Sequence, residues 1–261
     1  MRFIFKTSYH QDIQLARHEG HVFWYGLLLL ALVTAPWWLQ EYWLAQLTFV
    51  MIYSIIGLGL MLLAGFTGLF SIGNAAFMGV GAYVAAVLSA HGMPFPLTLA
   101  LAAGLSALVG AVVGLPALRV KGIFLGIATL SFGFIVEEGL ARWDSVTGGN
   151  AGIHVKAMVL GSWKVDSAES FYAVCLGVTV LSTLVVLNVL RSSTGRAFVA
   201  IRDSEVSAQS MGIHLAYYKT LSFMMSAALA GVGGALYAHK CNSSAPNNSA
   251  FCSPSICCSW W

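Results

Sequence analysis

The feature that most constrains this chain is a succession of long apolar runs separated by short polar segments. A helix needs about 20 apolar residues to cross the hydrocarbon core of a membrane, and a run of about that length recurs along the chain. The runs are Val22–Gln40, Trp43–Gly65, Gly68–Ala90, Phe95–Leu118, Gly122–Arg142, Phe171–Leu190 and Tyr217–His239. They predict an all-α, polytopic membrane protein with about seven transmembrane helices.

The charged-residue content supports the same class. Hydrophobic residues make up 58% of the 261 residues, and charged residues make up only 9%. Soluble domains carry about 25% charged residues, so membrane lipid is the expected surrounding of much of this chain. The net charge of +3 is too small to indicate nucleic-acid binding.

The distribution of Lys and Arg predicts a cytoplasmic N-terminus. With that orientation, 9 of the 13 basic residues lie on the inner side and 4 on the outer side. The domain division that follows is a cytoplasmic segment 1–21 and a transmembrane domain 22–239. The transmembrane domain then carries a periplasmic loop 143–170 and a cytoplasmic loop 191–216.

Small residues recur at positions i, i+4, i+7 and i+11 in four of the runs, which is one face of a helix. Such faces allow close helix packing in membranes, although a chain rich in Ala and Gly also produces them by chance. The four sets are Ala75, Gly79, Ala82, Ala86; Ala103, Ala107, Gly110, Gly114; Gly122, Gly126, Thr129, Gly133; and Ala227, Gly231, Gly234, Ala238.

No catalytic or metal-binding pattern stands out, so neither an enzyme nor a bound metal is expected. Glu137 and Glu138 are carboxylates within an apolar run, which is by default a functional feature. Glu138 is also four residues before Arg142, and an interfacial ion pair is the favoured interpretation. The chain has no G-x-x-x-x-G-K-[ST] phosphate loop, so any ATPase would be a separate protein.

The 191–216 loop contains signals for a short capped helix. Asp203 or Ser204 is a suitable N-cap, and Glu205 would lie in the first turn. Gly212 suits the left-handed conformation that ends a helix. The helix is either a docking element for a partner or an amphipathic connector on the membrane surface.

Several segments resemble the branched-chain amino acid ABC transporter permease family, in its LivM-type subunit. They are Gly57–Tyr83, Gly114–Leu130, the Thr147-Gly148-Gly149 element and Ser193–Gly212, and the resemblance covers about residues 50–239. Two departures are Val206-Ser207-Ala208, where the family's general loop pattern has Glu-Ala-Ala, and Asn74, where His is usual.

The resemblance implies a permease subunit that conducts branched-chain amino acids across the bacterial inner membrane. It implies a second, LivH-type permease, two ABC ATPase subunits that use ATP-Mg, and a periplasmic binding protein as partners, with no cofactor on this chain. It places ATPase coupling at Arg196, Arg202, Asp203, Glu205, Ala208 and Gly212. Candidates for helix packing or the pathway are Gly73, Asn74, Gly79, Thr129 and Gly133.

Three alternatives remain open at this stage. A urea-import permease has the same architecture and nearly the same motifs. A secondary transporter or channel would need no ATPase-docking loop. An intramembrane enzyme would need polar groups that converge inside the helices.

Residues 240–261 differ in composition from the rest of the chain. They are rich in Ser, Asn and Cys, and they contain no run long enough to cross a membrane. Their four cysteines do not match a zinc-site spacing. We expect a frameshift or a gene-sequence error near codon 240, which would leave the chain without the family's final helices.

Overall fold

The long apolar runs form helices in the structure, a computed structural model that describes residues 19–117, 123–142, 159–160, 163–164 and 168–243. In chain order the elements are α1 (Glu19–Trp38), α2 (Glu41–Leu60), a π-helical turn (Met61–Phe66), α3 (Asn74–Ala90), α4 (Phe95–Ala117), α5 (Ile123–Arg142), β1 (Val159–Leu160), β2 (Trp163–Lys164), α6 (Ala168–Arg191), α7 (Ser193–Asp203), α8 (Glu205–Ser210) and α9 (Leu215–Ser243). The two strands pair antiparallel.

The helices make this chain a polytopic membrane protein. Within the described ranges, four segments are long and apolar enough to cross a membrane, namely Glu41–Phe66, Phe95–Leu115, Ala168–Arg191 and Leu215–Cys241. Phe23–Trp38 and Asn74–Ala90 are shorter apolar helices. The total of seven crossings therefore stays a prediction.

Helix α9 lies at the centre of the fold, packed against α2, α3 and α4. Of its most apolar stretch, 67% is buried, against 17% for α6. Small residues permit this position: a side chain at Gly234 would overlap the Met78 carbonyl of α3, and one at Gly231 would overlap Ser106 of α4. The predicted small face of α9 is therefore a packing surface.

The other predicted small faces are only partly packed. Gly110 and Gly114 of α4 touch α9 closely, as expected. A Cβ at Gly79 would reach only Leu140, at an ordinary 3.9 Å, and one at Gly133 would meet nothing within 4 Å. The expectation of close helix packing is therefore corrected at Gly79 and Gly133.

The third run does not become helical where the sequence predicted. Helix α3 begins at Asn74 rather than Gly68, and residues 67–73 form a non-helical segment after the π-helical turn. Gly68 adopts φ +70°, which an L side chain rarely tolerates. The Thr67 hydroxyl also donates to the Leu63 carbonyl at 2.5 Å, so a local polar contact accompanies the end of the π-helical turn.

The last helix continues past its predicted end at His239 and includes residues 240–243. The Lys240 ammonium lies 6.0 Å from the Phe49 ring centre and 5.8 Å from that of Phe171. Aromatic rings stabilise a cation at such distances. The predictions for the N-terminal segment, for most of the 143–170 loop and for the tail from residue 244 onward lie outside the described residues.

Candidate docking element and cavity

The connector between α6 and α9, residues 191–216, folds into two short helices, of which the sequence indicated only the second. Helix α7 buries Ala197, Phe198 and Ile201 against the bundle. These residues recur three or four apart, which is the spacing of one helix face. That spacing was the signal that could have identified α7 from the sequence.

The second helix, α8, is capped as predicted. The Ser204 hydroxyl accepts a hydrogen bond from the Ser207 amide at 3.3 Å, and Glu205 opens the first turn. Gly212 has φ +83°, and the Ile213 amide donates to the Ala208 carbonyl at 3.1 Å. The left-handed glycine stop is therefore confirmed.

An ion pair ties α8 to the first turns of α9. The Lys219 ammonium lies 2.7 Å from a Glu205 carboxylate oxygen, and the exposed fractions of the two side chains are 6% and 32%. A charge this buried is costly without its partner. Glu205 and the buried Ala208 therefore face the bundle and hold α8 in place.

The outward side of α8 carries exposed apolar side chains beside the polar Ser207, Gln209 and Ser210, which the sequence analysis missed. Val206 is 78% exposed and Met211, directly after the helix, is 84% exposed. Arg196 and Asp203 are also exposed. A groove of about 640 Å³ opens beside α8, lined by Gln209, Gly212 and the first residues of α9. Exposed large apolar side chains on a short, rigidly held helix are suited to contact with a partner.

Arg202 links the connector to the π-helical turn that follows α2. Its Nη1 donates to the Gly65 carbonyl at 2.7 Å, across 137 residues of sequence. Its side chain also packs over Gly68, where an added Cβ would lie 3.3 Å from the Arg202 Cγ. Arg202 therefore contacts the start of the 67–73 segment directly.

The other end of the 67–73 segment is held by α5. The Ile72 amide donates to the Thr129 hydroxyl at 3.1 Å, and a side chain at Gly73 would lie 2.5 Å from the Thr129 carbonyl. Asn74, buried at 6% exposure, accepts a hydrogen bond from Ser226 of α9 at 3.3 Å. Gly73, Asn74 and Thr129 thus meet where α3, α5 and α9 approach one another.

A cavity of about 360 Å³ opens between the start of α3 and α5. Gly73 and Gly133, both predicted candidates, line it together with Glu137. Gly79 is not among the lining residues. Glu138 instead forms the predicted ion pair with Arg142, at 2.5 Å on an exposed surface.

Comparison with known proteins identifies clear relatives. Residues 42–254 match the family described as branched-chain amino acid transport system / permease component. The chain is 33% identical over 249 residues to the high-affinity branched-chain amino acid transport system permease protein LivM of Salmonella typhimurium, covering 86% of this chain and 59% of that protein. It is likewise 33% identical over 255 residues to LivM of Escherichia coli, covering 88% of this chain and 60% of that protein.

The chain thus spans less than two thirds of the length of these relatives. The family match extends into residues 240–254, beyond the predicted limit of the resemblance. No solved structure matches the chain significantly.

Proposed function

This chain belongs to the permease-component family of branched-chain amino acid transport systems, and from that membership we propose that it is the LivM-type subunit of an ABC importer. In this function it forms the membrane pathway for branched-chain amino acids with a LivH-type permease. Two ATPase subunits drive the cycle from the cytoplasm, and a periplasmic binding protein delivers the substrate. The chain resides in the bacterial inner membrane with its N-terminus in the cytoplasm.

The observation that carries the proposal is the construction of α8. The Glu205 ion pair fixes α8 to the bundle, and the Arg202 hydrogen bond holds the preceding helix, α7. Val206 on α8 and Met211 directly after it are exposed on the other side. A docked partner can move a bundle only through an element that does not give way itself. A secondary transporter or channel needs no such element.

The test is copurification of the ATPase subunits with this chain in the complete complex. Val206→Asp and Met211→Asp each place a charge on the outward face of α8 without touching the bundle. We expect each to reduce ATPase retention strongly, since burying an unpaired charge in an interface is unfavourable. Met93→Asp is the matched control, because Met93 is also exposed but lies in the turn between α3 and α4.

The orientation is tested by labelling single cysteines with a membrane-impermeant maleimide, after the native cysteines are replaced by Ser. Ser207→Cys, on exposed α8, should react only in inverted membranes. The comparison position on the periplasmic side is Met93→Cys, which is exposed and should react in intact cells. The nearby Ser89 is buried and would not serve this purpose. Labelling of residue 207 from the periplasm, or ATPase retention by both Asp variants of α8, would refute the proposal.

A further inference from the structure

We propose that the cavity between α3 and α5 binds the permeating amino acid, with the Glu137 carboxylate contacting its ammonium group. The inference rests on the proposed transport function and deepens it, since it assigns the group that recognises the substrate. Its chemical class is an aliphatic zwitterion with a free ammonium.

The walls of the cavity have the size and polarity for such a ligand. The cavity holds about 360 Å³, within the range of about 300–1,000 Å³ that is typical of small-molecule sites. Ile72, Leu130 and Phe134 supply apolar surface for an aliphatic side chain. Gly73, Ala75, Ala76 and Gly133 leave the space open because their side chains are small or absent.

Glu137 is the one charged group among the residues that line the cavity. Within the described part of the chain, the ion pairs join Glu138 to Arg142 and Glu205 to Lys219, and neither involves Glu137. Glu137 is half-buried, and a carboxylate in the wall of a largely apolar cavity is costly unless a cation accompanies it. The ammonium of an amino acid would be that cation, and it would be present only while substrate is bound.

The opposite wall suits the other end of a zwitterion. It consists of Ile72, Gly73 and the first turn of α3, and the N-cap, a glycine, has no side chain that could bond to the amide groups there. The amide groups at a helix start favour negative charge. An amino acid can therefore place its carboxylate toward α3 and its ammonium toward Glu137, whereas urea offers neither charge nor an aliphatic group.

The experiment uses the full complex of this chain with its partner permease, ATPases and binding protein in proteoliposomes, with radiolabelled leucine. We expect Glu137→Gln to lower uptake at least about tenfold, the effect of losing a charge-assisted hydrogen bond. Assembly of the complex and ATP hydrolysis should persist, and Glu137→Asp should restore part of the uptake. Glu138→Gln is the matched control, because it removes the same charge one residue away, outside the cavity.

A second pair of variants tests the cavity without changing charge. A Cβ added at Gly133 or at Gly139 meets nothing within 4 Å, so the first side-chain carbon is accommodated at both positions, and Leu favours the helix more than Gly does. Gly133→Leu fills the cavity and should abolish uptake in an assembled complex. Gly139→Leu, on the same helix but not among the lining residues, should transport normally.

Three results would overturn the proposal. They are normal leucine uptake by Gly133→Leu, normal uptake by an assembled Glu137→Gln complex, or equal losses in the control variants. If the Glu137→Gln complex fails to assemble, the proposal is tested by comparing leucine uptake between Gly133→Leu and Gly139→Leu. A wild-type complex that carries no aliphatic amino acid, or that carries urea instead, would contradict the proposed function itself.

Discussion

The ion pair between Glu205 and Lys219 makes a quantitative prediction about how α8 is held. Glu205→Gln keeps the size of the side chain and its ability to accept a hydrogen bond, but it leaves the Lys219 ammonium without a counter-charge at 6% exposure. Removing one partner of a fully buried pair costs about 3–5 kcal/mol, and exposed pairs contribute about 0–1 kcal/mol. Because Glu205 is one-third exposed, we expect a loss of about 2 kcal/mol for Glu205→Gln.

The converse change should cost less. Lys219→Met leaves Glu205, whose carboxylate water can still reach, so we expect a loss of about 1 kcal/mol. The double variant removes both charges and buries a thioether where an ammonium was. It should therefore be more stable than Glu205→Gln alone, with a coupling between the two sites of about 1–2 kcal/mol.

The measurement is thermal unfolding of the purified complex in detergent, followed by intrinsic tryptophan fluorescence. For a chain of this size, about 1 kcal/mol shifts the midpoint by about 2–4 °C, so Glu205→Gln should lower Tm by about 4–8 °C. The reasoning would be refuted if the two single variants lowered Tm equally and the double variant lowered it by their sum. That result would mean that Glu205 and Lys219 do not depend on each other for stability. Met93→Gln, in the exposed turn between α3 and α4, should leave Tm unchanged.

Two further predictions concern packing and transmission. Gly234→Leu should destabilise the bundle by about 1–3 kcal/mol or more, because the added side chain overlaps the backbone of α3. Gly177→Leu is the control: a Cβ there meets nothing within 4 Å, so its Tm should be unchanged in the same unfolding assay. Arg202→Gln removes the charged hydrogen bond to the Gly65 carbonyl. It should reduce the amount of leucine carried per ATP hydrolysed, while the ATPase subunits still copurify. Arg191→Gln, at an exposed position, is the control. Unchanged transport in Arg202→Gln would show that the contact with Gly65 transmits nothing.

Local chemistry explains why α8 was predictable and its orientation was not. The Ser204 cap and the Gly212 stop depend on neighbouring backbone groups, so their residue types are sufficient to indicate the helix. The face that α8 turns outward depends on Lys219, which is 14 residues from Glu205 along the chain. No local pattern shows that pairing, and Val206 therefore did not stand out beside Glu205.

The same limit applies to the small residues. Gly133 and Gly234 both occupy a face with i, i+4, i+7 and i+11 spacing, yet a side chain would overlap α3 at Gly234 and meet open space at Gly133. The difference arises from the neighbours of each helix: α9 is surrounded by α2, α3 and α4, whereas α5 contacts chiefly α3. Spacing identifies a face that can pack closely, but it does not identify the helix that packs against it.

This unequal packing indicates where movement of the bundle can occur. An added side chain at Gly110, Gly231 or Gly234 would overlap the neighbouring helix, so α9 is closely packed against α3 and α4 at these positions. A close-packed interior transmits displacement rather than absorbing it. Helix α5 has open positions at Gly133 and Gly139 and is held to the 67–73 segment by the Thr129 hydroxyl. A force applied to α8 reaches α9 through Lys219 and the 67–73 segment through Arg202. We therefore expect α9 to move as one body with α3 and α4. The relative displacement would then fall between that body and α5, which is where the cavity with Glu137 lies.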